Sequence, residues 1–549
     1  MVAITELLTQ PWTIVFLVVS LLQIYHKLTA KSKIPDGVPW VGRDSSRWFA
    51  GTRASLSSFG DTQQLLAQGY QKLQYLENGI SYLMPNPTGK PDLIVPPSQL
   101  HWAIEQPDDV LSAAAFHYDI LGEDYAFSHP KILRDPYHEH TIHKYLPRRL
   151  PGFIPDIQDE VAAAFDKSWG TDEGNWKEIS VFDANLFMIS RVVNRMIIGH
   201  PLCRNEEFLS NMRSYSMGIQ MISMIITYTP KLLKPLVGRL AALRAKAYYN
   251  AMAKFIIPIV TERLANLEKK EQDPAFDWEP PNDFISWHIA GAKADGRHDE
   301  LTVNMLSRRI MPIEFASIHT TTIAVTHCMF DLLSSEDCST FLEGIREQST
   351  SLLSSNDGQW AKANLAHASR ADSAFRESLR ISSFMTRSVA RKVVSKQGLQ
   401  NPAEGWTAPY GTIMSFDLYD VHRDPRFYPQ PNIYDAFRFS RQSEIQANAS
   451  ANGSTGQGEA KEGSRPERKN LGLITLSDTF LTFGLGRHAC PGRFFISAEA
   501  KIMLAYMVMN YEIKTFPTRP ADRHLSSIIL PSSTAKIRVR RRAGTGKAH

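Results

Sequence analysis

A single cysteine in a glycine-rich loop carries the strongest chemical signal of this 549-residue chain. Cys490 stands in the run Phe483-Gly-Leu-Gly-Arg-His-Ala-Cys-Pro-Gly492, and the apolar stretch that follows, from Phe494 to Val508, predicts a helix. Because Cys490 then lies just before a helix N-terminus, we expect backbone N–H groups and the helix dipole to favour its thiolate before any metal binds. A thiolate fixed in this way is suited to be the one axial sulfur ligand of a haem iron.

The flanking residues of the loop fit the same chemistry. Phe483 can shield the sulfur, Gly486 and Gly492 leave room where the backbone passes close to a macrocycle, and His488 is placed to meet a haem propionate. An accidental glycine-rich loop is the alternative. The five specified positions match Phe-x-x-Gly-x-(Arg or His)-x-Cys-x-Gly and therefore resemble the signature of the cytochrome P-450 family, in which the cysteine ligates haem iron.

Two segments precede the loop in the order that the family shows. Glu377-Ser-Leu-Arg380 lies in the helical-looking run from Asp372 to Ile381, where a spacing of three puts carboxylate and guanidinium on one face. It resembles the family's Glu-x-x-Arg. Tyr434-Asp-Ala-Phe-Arg438 resembles the segment whose arginine completes a buried triad with that pair, although alanine replaces the usual proline. The resemblance implies a structural role for Glu377, Arg380 and Arg438.

The apolar segment from about Val303 to Leu333 predicts a long central helix. One face of it carries Ile313, Ala316, Ser317 and Thr320, and the residues at the centre of this face have small side chains. The stretch from Ala316 to Thr321 resembles the oxygen-binding stretch of the family, which implies that Thr320 delivers protons to dioxygen.

Three residues of this helix depart from the family's pattern. Ser317 replaces the usual glycine and His319 the usual acid. His319 either relays protons itself or satisfies a neighbouring backbone group, and the sequence leaves both open. Pro312 removes one helical hydrogen bond and predicts a kink a turn before the site.

The family binds a haem propionate with a Trp-x-x-x-Arg helix, and no such pattern occurs between Asp135 and Leu150. Within that stretch, His143 or Lys144 can take the arginine's role. Arg391, in a strand-like segment from Thr386 to Val394, is a second candidate. The His-x-His-x-x-His run that ends at His143 also invites interpretation as a metal site, although such clusters are usually surface histidines.

The segment from Tyr215 to Leu240, rich in Met and Ile, resembles by position the family's roof over the haem pocket, a region that also dips into the membrane. An adaptable apolar surface favours a lipophilic substrate that arrives from the bilayer. Ordinary helix core is an equally open interpretation. The predicted substrate pocket contains Phe116, Phe127, Ile222, Ile313 and Ala316, with Tyr118 nearby.

Length and composition limit the remaining possibilities. The length allows roughly three or four domains, but no inner linker is visible and the motifs favour one large unit. Four cysteines indicate a reducing compartment. A net charge of +5 with dispersed basic residues argues against nucleic acid as a partner. No glycine-rich phosphate loop is found, so a nucleotide cofactor is expected on another protein.

The N-terminus carries an apolar run followed by lysines, which predicts a membrane anchor with its positive flank in the cytosol. The run is short of the about 20 residues that a spanning helix needs. A cleaved signal peptide is the rival, but its charges would precede the run. The predicted organisation is a lumenal tail (1–11), a transmembrane anchor (12–28), a basic Pro-rich hinge (29–45), a haem-thiolate domain (46–543) with a flexible insertion (441–470), and a tail (544–549).

The resemblance implies a mainly α (α+β) fold, a helical globule with a long central helix and small β-sheets. It also implies haem b ligated by Cys490 and electrons from NADPH through a separate reductase, with cytochrome b5 as a second potential donor. The motifs look most like fungal monooxygenases of secondary metabolism in the endoplasmic reticulum membrane, with the catalytic domain cytosolic. A terpenoid-derived substrate is the first expectation and a polyketide or alkaloid the second. A haem-thiolate isomerase or dehydratase that needs no dioxygen, and a silent haem-binding scaffold, are the alternatives.

Overall fold

The structure is a computed structural model that describes residues 34–44, 46, 48–72, 79–441, 444 and 472–544. The predicted lumenal tail and anchor, nearly all of the predicted insertion and residues 545–549 lie outside the described residues. Across the described ranges, no helix combines the length and the apolar character that a membrane span requires.

Helices make up most of the described chain, as expected for a mainly α fold. They are α1 (Ala50–Ser57), α2 (Thr62–Lys72), α3 (Leu100–Glu105), α4 (Ala113–Ile120), α5 (Lys131–Arg134), α6 (Tyr137–Arg149), α7 (Ile154–Trp169), α8 (Val181–Ile197), α9 (Glu206–Tyr228), α10 (Lys234–Gln272), α11 (Phe284–Ala294), α12 (Val303–Leu333), α13 (Cys338–Ser354), α14 (Lys362–Ala366), α15 (Ser369–Ile381) and α16 (Arg493–Asn510). The three helices predicted around the motifs are confirmed as α12, α15 and α16.

Small sheets flank the helices. A five-stranded sheet has the order β1 (Tyr82–Met84), β2 (Asp92–Ile94), β8 (Ile413–Asp417), β5 (Arg387–Val393) and β3 (Leu111–Ser112), in which only β2 and β8 are parallel. A second sheet pairs β4 (Lys177–Ser180) and β9 (Tyr511–Ile513) with β12 (Lys536–Arg541) between them. Two hairpins join β6 (Leu399–Gln400) to β7 (Thr407–Ala408) and β10 (Arg523–Leu525) to β11 (Ile528–Leu530). The strand predicted near Arg391 is confirmed as β5.

Part of the predicted hinge is attached to the first sheet. The N–H of Leu83 donates to the Pro39 carbonyl at 2.8 Å, and the N–H of Val41 donates to the Leu83 carbonyl at 3.0 Å. Residues 39–41 therefore run beside β1.

The central helix α12 organises the core. It packs against α8, α15, α10 and α9, and most of its side chains are buried. The Thr302 hydroxyl caps its start by accepting from the N–H of Met305 at 3.2 Å. The helix is continuous through Pro312, because the packing on neighbouring helices stabilises it despite the missing N–H.

Candidate active site

The cysteine loop is held in shape by its own backbone. The N–H of Cys490 donates to the Phe483 carbonyl at 2.8 Å, and the N–H of Ala489 donates to the Gly486 carbonyl at 3.1 Å. At the start of α16, the Arg493 guanidinium donates to the Cys490 carbonyl at 2.7 Å. Cys490 is therefore fixed three residues before α16.

Two glycines make the turn of this loop possible. Gly484 and Gly486 have φ of +73° and +74°, values that residues with a side chain rarely adopt. At Gly492 a Cβ would stand at an ordinary 3.7 Å from the Cys490 sulfur, so the protein's own atoms leave room there. From the sequence, Gly486 and Gly492 were predicted to leave room for a macrocycle, and the role of Gly484 in the turn was missed. Its position directly after Phe483 in the same glycine-rich run could have indicated that role.

The thiol of Cys490 is not made anionic by the helix alone. Desolvation by the surrounding protein raises its pKa, while the N–H groups of Gly492 and Arg493 and the charge of Arg493 oppose that rise. The net shift is upward, so the prediction that the helix N-terminus secures the thiolate before metal binding is wrong. Burial outweighs the local donors, and a bound cation is what would stabilise the anionic sulfur.

The surroundings of Cys490 and His117 indicate a hollow inside the protein. Their side chains have accessible surface, yet the protein around them desolvates them strongly, and this lowers the pKa of His117. The charge of His488 also lowers the pKa of His117, which places the two histidines near each other. Sequence reasoning missed His117, although it stands between two aromatic residues of the predicted pocket.

Arg391 is the residue best suited to an anionic group in this region. Its side chain on β5 is buried, and Nε and Nη1 have no hydrogen-bond partner among the residues that the structure describes. Desolvation and then the charge of Arg487 lower its pKa. A buried guanidinium without an acceptor is unfavourable, so the arrangement fits an anion such as a haem propionate.

His488 contacts a carboxylate of the protein, and its predicted contact with a haem propionate stays a prediction. Its Nε2 lies 2.9 Å from Asp108, and Arg487 pairs with the same carboxylate at 3.0 Å. Asp108 therefore holds His488 in place. Because Asp108 lies 380 positions earlier in the chain, the sequence did not indicate this contact.

The structure distinguishes the two candidates on α6. Lys144 donates to Asp295, directly after α11, at 3.0 Å, so it already has a carboxylate partner. His143 is exposed, and its pKa is lowered by desolvation and by the charges of Arg493 and His488. His143 therefore faces the cysteine loop.

The other histidines of the run have separate partners. His138 is buried 3.4 Å from Arg309, and His140 lies 3.4 Å from Asp295. In the described ranges, no three metal-ligating side chains come together.

The structure brings Glu377, Arg380 and Arg438 together. Arg380 donates to both carboxylate oxygens of Glu377 at 2.8 and 2.7 Å, and Arg438 donates to one of them at 2.8 Å. Both arginines also donate to main-chain carbonyls, Arg380 to His422 at 2.6 Å and Arg438 to Pro429 at 2.6 Å. The network ties α15 to the segment before the cysteine loop.

On α12, Ala316 and Thr320 are exposed in a helix that is otherwise mostly buried. The Thr320 hydroxyl donates to the Ala316 carbonyl at 2.6 Å, and the Ser317 hydroxyl donates to the Ile313 carbonyl at 2.6 Å. Each hydroxyl keeps its lone pairs free to accept a further hydrogen bond.

His319 carries an unpaired ring nitrogen inside the protein. Its Nε2 is buried without a hydrogen-bond partner, and no hydrogen bond to its ring occurs within the described residues. Desolvation lowers its pKa, so the ring is neutral at pH 7. Of the two roles left open by the sequence, a hydrogen bond to a neighbouring backbone group is not found.

The predicted pocket residues divide into two groups. Phe127, Ile222 and Ile313 are buried in the main core, and Phe127 packs edge-to-face on Phe315 at 5.7 Å. Phe116 is half-buried beside His117 with ring centroids 5.8 Å apart, and Ala316 is exposed. Phe116 and Ala316 are therefore the members of the set that remain accessible.

Helix α9 has one buried face and one exposed face, so the interpretation as helix core holds for the first, and the proximity of the second to a membrane stays a prediction. Ile219, Ile222 and Ile226 are buried in the core. The opposite face of α9, the segment after it and α10 carry an outer apolar surface of 48–81% exposed side chains, namely Met217, Met221, Ile225, Leu232, Leu236, Leu240 and Leu243.

A cavity of about 490 Å³ lies on the side of α16, away from the predicted substrate residues. Pro147 and Leu150 from the end of α6 line it with Leu365, Phe494 and Lys501. None of the predicted pocket residues contributes to its wall.

Comparison with known proteins agrees with these features. The family model "Cytochrome P450" matches residues 141–539. The chain is 29% identical to the cytochrome P450 monooxygenase gloP of Glarea lozoyensis, over 96% of this chain and 95% of that protein. It is 32% identical to the cytochrome P450 monooxygenase htyF of Aspergillus rugulosus, over 88% of this chain and 69% of that protein.

A solved structure supports the fold. The retinoic acid-bound cyanobacterial CYP120A1 superposes with a TM-score of 0.58 at 17% identity, covering 93% of this chain and 99% of that one. The match of the family model over most of the chain, together with relatives from fungi, shows that the protein belongs to the cytochrome P450 family and is a monooxygenase.

Proposed function

We propose that the enzyme holds haem b with Cys490 as the axial ligand and hydroxylates or otherwise oxidises a lipophilic secondary metabolite, in the first instance a terpenoid-derived one, in a fungal biosynthetic pathway. The observation that carries the proposal is the accessible Cys490 sulfur in a backbone-fixed loop. The buried Arg391 supports it, because its Nε and Nη1 have no partner among the described residues and it lies within electrostatic reach of Arg487 in that loop. A polyketide or alkaloid scaffold is the second candidate.

Four residues are available to hold the cofactor. Cys490 supplies the sulfur, while Arg391 binds one propionate and His143 with His117 supports the other. Phe483, half-buried against the core, shields the sulfur from water. The haem supplies the activation of dioxygen when it is bound.

Thr320 and His319 are proposed to move the protons. The Thr320 hydroxyl is accessible, and it can release its proton while it accepts another at its free lone pair. The neutral ring of His319 can accept a proton at one nitrogen and release one from the other. Ser317 holds the helix carbonyl of Ile313 and can take part in the same relay.

Electrons are proposed to come from NADPH through a separate reductase, with cytochrome b5 as a further donor. The cavity beside α16 offers a place for such a partner, because it lies next to the cysteine loop's own helix. Lys362 lines this cavity, and Arg148 and Arg149 are exposed near its rim at the end of α6. These positive charges suit an acidic electron donor.

The proposed location is the endoplasmic reticulum membrane, with the anchor at 12–28 and a cytosolic catalytic domain. The outer apolar surface of α9 and α10 supports a membrane contact, because a soluble protein seldom exposes so many large apolar side chains together. A substrate dissolved in the bilayer would then enter close to the roof of the hollow.

The proposal is tested with membranes that carry the full chain and a reductase. They are incubated with terpenoid, polyketide and alkaloid scaffolds under isotopically labelled dioxygen, and product mass is measured. A labelled, NADPH-dependent product supports the proposal and names the substrate class. An unlabelled product that needs no NADPH would contradict it and favour an isomerase or dehydratase.

A further inference from the structure

Four lysines from separate parts of the chain gather beside the outer apolar surface. They are Lys90 in the turn between β1 and β2, Lys392 on β5, Lys231 before α10 and Lys234 at its start. We refer to them as the lysine cluster. Ile413 on β8 pairs with Asp92, two residues after Lys90, and with Lys392, so the sheet brings these two lysines to one end. Desolvation and the charges of Lys231, Lys392 and Lys234 lower the pKa of Lys90, whereas Asp119 acts to raise it, so the three other lysines lie within electrostatic reach of Lys90.

Hydrogen bonds and ion pairs fix the frame of this cluster. Lys392 pairs with Asp119 at the end of α4 at 2.6 Å, and Lys234 pairs with Glu123 just beyond that helix. The Ser223 hydroxyl of α9 donates to the Leu121 carbonyl at 3.0 Å. The end of α4 is thereby joined to α9, to β5 and to the start of α10.

The cluster contains more positive than negative charge. Asp119 and Glu123 neutralise Lys392 and Lys234, whereas Lys90 and Lys231 make no ion pair within the described part of the chain. Two like charges held near each other destabilise the arrangement unless an anion comes between them. The uncompensated pair therefore favours a bound anion.

The apolar side chains next to this pair indicate what kind of anion fits. Leu232, directly after Lys231, is 81% exposed, and Leu236 on the first turn of α10 is 65% exposed. Phe59 packs on Tyr228 at 5.6 Å and extends the apolar region toward α1. A positive patch that borders a wide apolar surface suits a molecule with an anionic head and long hydrocarbon chains.

We infer that the lysine cluster binds the headgroup of an anionic phospholipid whose acyl chains cover Leu232, Leu236 and the adjoining outer apolar surface. This inference rests on the proposed membrane contact and specifies its lipid chemistry. The interaction between the anionic headgroup and the lysine cluster would orient α9 and the start of α10 in the bilayer, in addition to any N-terminal anchor.

The test uses the full-length holoprotein, purified in a non-ionic detergent and examined by native mass spectrometry. Phosphatidic acid, phosphatidylcholine and inorganic phosphate are offered separately to the wild type and to Lys90→Gln/Lys231→Gln. The matched control is Lys246→Gln/Lys254→Gln, which removes two exposed charges from α10 itself. These lysines lie 12 and 20 residues beyond Lys234, about 18 and 30 Å along the helix axis.

The wild type and the control are expected to retain phosphatidic acid about tenfold better than phosphatidylcholine, a difference of one decade in the dissociation constant. Lys90→Gln/Lys231→Gln is expected to lose that preference. Equal retention of both lipids by the wild type, or equal loss in the control, would overturn the inference. Displacement of the lipid by inorganic phosphate would also overturn it, in favour of a free-phosphate site.

The reduced carbon monoxide spectrum and the binding to phosphatidylcholine vesicles are measured on the same samples. If both remain normal while the lipid preference is absent, the inference fails and the proposed function stands. If vesicle binding itself is absent, the proposed membrane contact fails.

Discussion

The cysteine loop and the Ala316–Thr320 turn of the central helix serve the same proposed reaction, but they are built in different ways. Backbone hydrogen bonds and two glycines with positive φ set the shape of the loop. On the helix, the backbone is ordinary and the chemistry is carried by side chains, among them the unpaired ring of His319. In this chain the loop matches the family's motif at all five specified positions, whereas the helix departs from the family's pattern at Ser317 and His319.

The largest effect is expected from the triad that supports the loop. Glu377→Gln leaves the guanidinium groups of Arg380 and Arg438 without their shared negative charge in a buried site. Breaking a buried pair in this way costs about 3–5 kcal/mol, so we expect little folded holoprotein, measured by urea unfolding and by haem absorbance.

Glu343→Gln is the matched control, because it removes a half-exposed carboxylate that pairs with Arg346. Its effect should stay below about 1 kcal/mol. Equal stability of the two variants would show that the triad does not support the loop.

The next effect concerns the residue that we assign to a propionate. Arg391→Gln should weaken haem retention by about 10–100-fold, the range for removal of a supporting partner of a metal centre. His488→Gln should have a smaller effect, because Asp108 already occupies His488. Haem content per protein after gel filtration measures both. A larger loss in His488→Gln would reverse the assignment.

On the central helix, Thr320→Ala should uncouple NADPH consumption from product formation. Loss of a positioned proton donor lowers a rate by about 10²-fold or more, so most electrons would leave as peroxide. Thr322→Ala is the control, since Thr322 is buried and donates to the Ile318 carbonyl at 2.7 Å. Coupling is measured as product formed per NADPH, and unchanged coupling in Thr320→Ala would remove this residue from the proton path.

The smallest effect concerns Glu314, which is buried on α12. Desolvation raises its pKa to about 8, opposed by a hydrogen bond from Asn194 at 3.4 Å. The unfolded chain releases this proton above about pH 4.5, so the stabilising contribution is present at low pH and is lost as the pH rises towards 8.

Glu314→Gln should therefore be more stable than the wild type at pH 8, by about 1–3 kcal/mol, and should show little gain at pH 5. Urea unfolding at the two pH values measures the difference. The same gain at both pH values would contradict a protonated Glu314.

The sequence predicted the helices and contacts that depend only on residues close together in the chain. The apolar periodicity of α12 and α16 and the spacing of Glu377 and Arg380 are properties of neighbouring residues, and these elements formed where expected. The positions of Gly484 and Gly486 also follow from the short loop, although only Gly486 was assigned.

The partners of side chains were harder to predict, because they depend on distant segments. Asp108 binds His488 across 380 positions of the chain, and Asp295 binds Lys144 across 151. Neither contact leaves a local signal. The ionisation of Cys490 was misjudged for the same reason, since its desolvation comes from the whole surrounding fold.

The central claim is that the Cys490 sulfur ligates the haem iron, and the reduced carbon monoxide difference spectrum tests it most directly. Wild type and Cys338→Ala, which changes a buried cysteine of the core, should both show the red-shifted band of a thiolate-ligated haem. Cys490→Ala should lose that band completely. A retained red-shifted band in Cys490→Ala would contradict the assignment.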